Sequence, residues 1–385
     1  MSIVIQTYII VCISLLLFDI GFLILKNNRK DVFFPNNKRL ENKIKNEIES
    51  YHHERHFSDG FEDDLMKKLS KTQNLITLMS VLEEMPEELT LFRYFIFNKI
   101  DDYAKKSNYE QAYYTYVISI FNYDSQSVPN DFAADFIRFL DSESLYTFIN
   151  TMEAYYAFGD EALLLQALDK VNERGGFYNQ KLLVDGLLTA KVDFNSFNPK
   201  LVDRFFRYSH YMQVSLLDFF RFNGYDIADL CLSIKQNNNT ELEVRYSAMR
   251  YFTKFKNRDA RTYCINLLDS KEEVPWLDQM LAIQILDKYH DEVVYDLIKE
   301  KIYSNNWYVR ANAAKYLFEQ NLSQDAVYDI LAKRDKYANE ILLYQYHDDK
   351  EMSKYIINTI QLLELQGQLV NNRASDDSDL VARIA

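Results

Sequence analysis

The sequence predicts an all-α protein in which a single N-terminal transmembrane helix precedes an α-solenoid, a stack of helix hairpins. Glycine and proline number only 8 and 5 in 385 residues, whereas sheet-rich domains need such residues in the turn of every hairpin. Residues 3–25 are mostly apolar and carry a single charge, the pattern of a membrane span. From Leu75 onward, apolar residues recur at helical spacing between short polar breaks, which is typical of amphipathic helices.

Residues 1–25 are predicted to form an uncleaved membrane anchor. At about 1.5 Å per residue, a helix over Ile3–Leu25 would extend roughly 34 Å and cross the hydrocarbon core. A cleaved signal peptide would need basic residues before its apolar core and a small-residue cleavage site after it. No lysine or arginine precedes Lys26, and Phe22–Leu25 offers no such site.

The basic residues around the anchor predict its orientation. All of them follow the apolar segment, and basic flanks stay on the cytoplasmic side of a membrane. We therefore expect a single-pass cell-membrane protein with its N-terminus outside and residues 26–385 in the cytoplasm. The same residues are expected to contact anionic lipids of the inner leaflet. They are Lys26, Arg29, Lys30, Lys38, Arg39, Lys43 and Lys45.

Asp19, inside the predicted anchor, has two interpretations. It lies toward the cytoplasmic end, where a carboxyl group can reach the interface or remain protonated. Alternatively, it faces a polar or cationic group on another membrane helix. Ser14 and Gly21, spaced seven apart, supply the small residues that helix contacts in lipid favour. The second interpretation makes Asp19 a candidate contact with a membrane partner.

Residues 26–74 are predicted to be a polar, basic juxtamembrane linker. Leu40–Tyr51 has apolar residues at helical spacing, which indicates a short amphipathic helix near the bilayer. His52 and His56 are four positions apart, so on a helix they could share a metal ion. The HExxH pattern of zinc proteases is one residue short here, and we interpret the histidines as incidental.

Two helical regions and a tail follow the linker. Residues 75–235 are predicted to be a helical-hairpin array, formed either by diverged repeats or by a looser helical domain. Residues 236–366 contain a repeat, because Glu243–Phe252 matches Tyr308–Leu317 at an offset of about 65, twice a repeat length. Residues 367–385 are polar and predicted to be disordered.

The C-terminal repeats resemble HEAT repeats through a V-R-x-x-A pattern at Val244, Arg245 and Ala248 and again at Val309, Arg310 and Ala313. The resemblance implies stacked helix pairs in which the small residue lets helices approach and the arginine pairs with an acidic group of the neighbouring unit. The middle unit has Asp278-Gln279 in place of Val-Arg and departs from this pattern. The repeat-core residues are Val244, Arg245, Ala248, Ala282, Leu286, Val309, Ala313 and Leu317.

The sequence predicts no catalytic, cofactor or metal site. It contains no glycine-rich phosphate loop and no GxSxG motif, and Cys12, Cys231 and Cys264 lack the spacing of a zinc site or a disulfide framework. The net charge of -13 disfavours nucleic acid as a ligand, because an acidic surface repels the phosphate backbone. A catalytic pair that converges from distant helices would not be visible in chain spacing.

These observations favour a membrane-tethered scaffold that binds a protein partner, in an envelope assembly such as a polysaccharide synthase or a secretion system. The candidate contacts are Trp276, Trp307, Tyr308 and Arg310, because Trp, Tyr and Arg dominate interface energetics. Packing between repeats is the alternative role for the two tryptophans. A sensor that binds a small ligand or nucleotide is the alternative function, and an Arg-lined pocket in residues 89–235 would favour it. An enzyme is the third hypothesis.

Overall fold

A computed structural model describes residues 37–120, 128–175, 179–237 and 239–382, with side chains up to residue 366. These residues form α-helices and 3-10 helices and contain no strand, which confirms the all-α fold class. Within the same ranges, no helix combines the length and the apolar character needed to cross a membrane. The predicted anchor, including Asp19 and the basic residues at its end, lies outside the described residues.

The described helices belong to two units, which meet in the chain between Ser209 and His210. The first unit contains α1 (Lys38–Glu54), α2 (Phe61–Lys68), α3 (Thr72–Glu84), α4 (Leu89–Phe97), α5 (Ile100–Ala104), α6 (Asn108–Ile120), α7 (Asn130–Phe136), α8 (Leu145–Phe158), α9 (Glu161–Glu173), α10 (Gln180–Thr189) and α11 (Phe194–Arg204). Its 3-10 helices are Pro86–Glu88, Ile137–Asp141 and Phe205–Arg207.

The second unit starts earlier than the sequence predicts. It contains α12 (His210–Asn223), α13 (Ala228–Gln236), α14 (Leu242–Tyr251), α15 (Arg258–Leu268), α16 (Trp276–Leu286), α17 (Glu292–Glu300), the 3-10 helix Lys301–Tyr303, α18 (Trp307–Glu319), α19 (Gln324–Ala332), α20 (Lys336–Gln345) and α21 (Lys350–Ala382). The sequence predicts this boundary after residue 235, but α12 and α13 both pack against α14 and so belong to the second unit.

Side-chain caps determine where many of these helices begin. In each case an Asn, Asp or Ser side chain accepts a hydrogen bond from a backbone N–H of the first turn, a contact that stabilises a helix start by about 1 kcal/mol. The capping residues are Asn37, Ser144, Asp160, Asn179, Asp193, Asn257, Asp291, Asn306, Ser323 and Asp335.

Each unit is built on a row of helices in which every member packs against the next. In the first unit the row is α1, α3, α6, α8 and α10. In the second unit it is α12, α14, α16, α18 and α20, and the helices α13, α15, α17, α19 and α21 each pack against a member of this row. Alternation between a row helix and a backing helix buries one face of each.

The first helix differs from the predicted juxtamembrane linker. α1 packs against α3, and its apolar residues Leu40, Ile44 and Ile48 are at most 3% exposed. The amphipathic pattern predicts a short helix near the bilayer, but the apolar face is covered by protein. Residues 38–74 are therefore part of the first folded unit.

Some of the predicted lipid-contacting cations also have partners within the chain. Lys43 Nζ lies 2.8 Å from Asp64 Oδ2, and Lys45 Nζ lies 2.8 Å from Glu84 and 3.0 Å from Glu41. Lys38 and Arg39 are exposed.

At the other end, the backbone of α21 is helical as far as Ala382, whereas the sequence predicted a disordered tail from residue 367. No proline interrupts the chain after Lys350, so nothing in the composition blocks the backbone hydrogen bonds of a longer helix.

Asp64, which joins α1 to α2, should make stability depend on acid pH. Hydrogen bonds from Lys43 and Lys68 lower the pKa of Asp64 to about 2. A lowered carboxyl pKa stabilises the fold above the unfolded value of about 4, and this stabilisation is lost as the pH falls toward 2. Asp64→Asn is expected to lower the melting temperature at pH 6 and to flatten its decline below pH 4. Asp63→Asn, on an exposed neighbour, is the control; equal profiles for both variants would contradict this role.

Candidate functional site

Three exposed aromatic residues lie together at the start of two neighbouring helices of the second unit. Trp276 is the first residue of α16, and Trp307 and Tyr308 open α18. Because α16 and α18 are adjacent in the row, their first residues can meet. The three side chains are 44%, 50% and 53% exposed, respectively.

The ring of Tyr308 contacts both tryptophan rings. Trp276 stacks on Tyr308 with ring centroids 5.3 Å apart and an angle of 23° between the planes. Trp307 meets the same tyrosine edge-on, at 5.2 Å and 84°. Both arrangements lie within the range of favourable aromatic pairs. Each tryptophan therefore packs against Tyr308, which is part of the alternative role in packing between repeats, yet about half of each ring faces solvent.

Tyr337 extends this surface and was missed by the sequence analysis. It is the second residue of α20, as Tyr308 is of α18, and it is 51% exposed. The guanidinium of Arg310 lies 4.7 Å from its ring centroid, which links the start of α18 to the start of α20. We refer to Trp276, Trp307, Tyr308 and Tyr337 as the aromatic strip. Tyr337 occupies the same position in α20 as Tyr308 does in α18, and this match in the sequence could have revealed it.

Local sequence determines where the strip residues lie. Asn306 accepts hydrogen bonds from the backbone N–H groups of Tyr308 and Val309, so α18 begins at Trp307. Asp335 accepts from Ala338 and starts α20 in the same way. Pro275 precedes Trp276, where its fixed φ suits the approach to a helix. Each helix thus starts immediately before or at an aromatic residue.

Arg310 was predicted to lie on the surface, but it is buried. It is only 6% exposed, and its Nη1 donates a hydrogen bond to the carbonyl oxygen of Ser304 at 2.7 Å. Among the described residues it forms no ion pair, so the acidic partner implied by the HEAT resemblance is replaced by a loop carbonyl. Arg310 therefore supports the strip from beneath and cannot contact a partner directly.

The middle unit, which departs from the repeat pattern, makes an equivalent contact. Gln279 donates from Nε2 to the carbonyl oxygen of Val274 at 2.8 Å, as Arg310 does to Ser304. Its neighbour Asp278 pairs with Lys235 at 3.3 Å and accepts a hydrogen bond from Tyr246. A glutamine thus holds the loop before α16 as an arginine holds the loop before α18.

The predicted repeat-core residues lie in the interior of the second unit. Arg245 is half-buried, and the remaining seven are at most 2% exposed. These are Val244, Ala248, Ala282, Leu286, Val309, Ala313 and Leu317.

The histidines considered as metal ligands and the cysteines lie in surroundings that do not suit a reactive site. His52 Nε2 lies 2.7 Å from Oε1 of the buried Glu88, and within the described ranges no cluster of His, Cys and carboxylate residues could hold a metal ion. Cys231 and Cys264 are buried. Burial raises the pKa of the Cys264 thiol to about 12 and that of Cys231 further, so both thiols stay protonated and unreactive.

A cleft of about 600 Å³ opens in the first unit beside α4, α5 and α7. Its charged lining residues are Arg93, Asp101, Asp131 and Asp135. An Arg-lined pocket in this region would favour a nucleotide sensor, but here carboxylates outnumber the single arginine. A negatively charged lining repels phosphate groups.

Comparison with known protein families finds no family that matches the chain. Comparison with curated proteins finds no similar one.

Proposed function

We propose that the chain is a membrane-tethered cytoplasmic scaffold, in which a HEAT-like α-solenoid binds a protein partner through the aromatic strip. The strip is the observation that carries this proposal. Its four residues are each 44–53% exposed, and they lie side by side at the starts of consecutive row helices. Exposed tryptophan and tyrosine that are contiguous mark interaction surfaces.

The architecture supports a solenoid for the second unit. Each row helix of the second unit packs against its neighbours in the row and against backing helices, which resembles the arrangement of repeat proteins. The four strip residues recur on successive row helices, so a partner lying along the row would meet them one after another. Such extended surfaces are how repeat proteins bind their partners.

The membrane part of the proposal is supported by the sequence alone. It consists of the anchor 1–25, the cations that follow it, and Asp19 as a contact with another membrane helix. A single-span helper of this design suits an envelope assembly such as a polysaccharide synthase or a secretion system. The alternative sensor function is less well supported, because the cleft that could hold a nucleotide is lined mainly by carboxylates.

Partner capture tests the strip. We expect Trp307→Ala and Tyr308→Ala to weaken binding at least about ten-fold, because interface tryptophans and tyrosines are frequent hot spots. Proteins that copurify with the detergent-solubilised full chain would be quantified for wild type and variants. Tyr328→Ala, which removes a 40% exposed ring on the backing helix α19, is the matched control. Retention of every partner by both strip variants would exclude the strip as the binding surface.

Two further measurements test the membrane tether. Protease added to intact cells should leave residues 37–366 uncut, and Asp19→Ala should release a membrane partner while partners held by the strip remain. Digestion of the large helical part from outside would contradict the proposed orientation.

A further inference from the structure

The cleft in the first unit has an aromatic floor and an aromatic rim. Phe97 and Phe132 stack at its base with centroids 4.2 Å apart and planes 16° from parallel. Tyr94, at the rim, is 67% exposed. A ring face of this kind attracts cations through its quadrupole.

The carboxylates of the cleft are unevenly neutralised. Asp101 is paired with Arg138, whose Nη2 lies 2.7 Å away. Asp131 and Asp135 lie one turn apart on α7, are exposed, and form no ion pair with any described residue. Like charges four positions apart on a helix repel each other by a few tenths of a kcal/mol. A cation supplied from outside the chain would relieve this repulsion.

We propose that the cleft binds a basic segment of the partner protein, with a lysine or arginine side chain between Asp131 and Asp135 and its aliphatic part against Tyr94. This inference rests on the proposed function, since it assigns a charge to the partner. The pairing of Arg138 with Asp101 shows the chemistry that an incoming guanidinium would repeat. The volume of about 600 Å³ lies in the range of ligand sites, and the open side leaves room for a peptide backbone.

The charge of the whole chain acts in the same direction. With a net charge of -13, the protein attracts basic partners over the Debye length of about 8 Å and repels acidic ones. Long-range attraction alone does not, however, direct a basic partner to one position on the surface. The inference is therefore that the cleft carries most of the affinity and that acidic residues elsewhere carry little.

Binding of a fluorescein-labelled hexa-arginine peptide to the full chain, measured by anisotropy, tests the cleft. Asp131→Asn with Asp135→Asn is expected to weaken binding at least ten-fold. Glu272→Gln with Glu273→Gln removes the same charge from an exposed loop of the second unit and should change the affinity less than about two-fold. Tyr94→Ala should weaken binding severalfold without any change in charge.

The outcomes separate this inference from the proposed function. Equal weakening by both double variants, or no binding of wild type at 1 mM peptide, would overturn the cleft site. Trp307→Ala should leave peptide binding unchanged, because the strip lies in the other unit. If the strip variants keep every partner while the cleft variants lose the peptide, the scaffold surface is wrong and the cleft stands. A fall in the melting temperature of Asp131→Asn with Asp135→Asn would show destabilisation, and Tyr94→Ala then decides alone.

Discussion

Arg310→Glu is expected to destabilise the second unit by about 3–5 kcal/mol, because it places a carboxylate in a buried position beside a carbonyl oxygen and an aromatic ring. The native guanidinium is 6% exposed and donates to the Ser304 carbonyl. A glutamate in its place would face that carbonyl oxygen with another acceptor. It would also lie near the Tyr337 ring, whose face repels anions.

Two controls show whether burial causes this effect. Arg310→Met keeps the side-chain length but removes the hydrogen bond and the contact with Tyr337, so we expect a loss of about 1–2 kcal/mol. Arg258→Glu makes the same charge reversal at the exposed start of α15 and should change stability by less than about 0.5 kcal/mol. Denaturant unfolding of the full chain would measure all three. If Arg310→Glu resembles Arg258→Glu, the arginine lies on the surface after all.

The result also bears on how partner contacts are assigned. Loss of a partner by Arg310→Glu would not locate a binding surface, because the variant is expected to destabilise the helices that present the strip. Trp307 and Tyr308 are better positions, since half of each ring is already in solvent and its removal leaves the core intact.

The sequence predicts the fold class from local information. Scarce glycine and proline, helical periodicity and capping residues such as Asn306 and Asp335 all act within a few residues of where they lie. What covers an amphipathic face is decided elsewhere in the chain. The pattern at Leu40, Ile44 and Ile48 is the same whether lipid or α3 lies against it, so the sequence could not assign these residues to the folded unit.

The positions of the candidate-site residues could be predicted from the sequence, but their burial could not. Trp276 and Trp307 occupy matching positions of the sequence repeat, and the structure places both of them against Tyr308. Arg310 shares that motif, but whether its long side chain points outward or folds back to Ser304 depends on the preceding loop. Gln279 shows the converse, because a residue that breaks the pattern makes an equivalent loop contact. The position of a residue in the sequence repeat therefore predicts where it lies in the fold better than it predicts how exposed its side chain is.

Close approach between helices is a further property that the sequence does not reveal, and Gly186 in α10 is the clearest case. A Cβ atom built on Gly186 would lie 2.0 Å from Cε2 and 2.5 Å from Cζ of Tyr156. Tyr156 belongs to α8, which packs against α10, and is 2% exposed. Its ring cannot move aside without displacing other buried groups.

Gly186→Ala is therefore expected to destabilise the first unit by about 1–3 kcal/mol. In an exposed helix the same substitution would stabilise by about 1 kcal/mol, because alanine loses less backbone entropy than glycine. Here steric overlap with the tyrosine ring exceeds that gain. Thermal and denaturant unfolding of the full chain would measure the change.

A double-mutant cycle identifies the cause. Tyr156→Ala removes the ring and should itself cost about 3–5 kcal/mol, as expected for a buried aromatic residue. In that background Gly186→Ala has room for its methyl group, so its effect should change sign and approach a gain of about 1 kcal/mol. If Gly186→Ala destabilises both backgrounds equally, contact with Tyr156 is not why α10 has a glycine at this position.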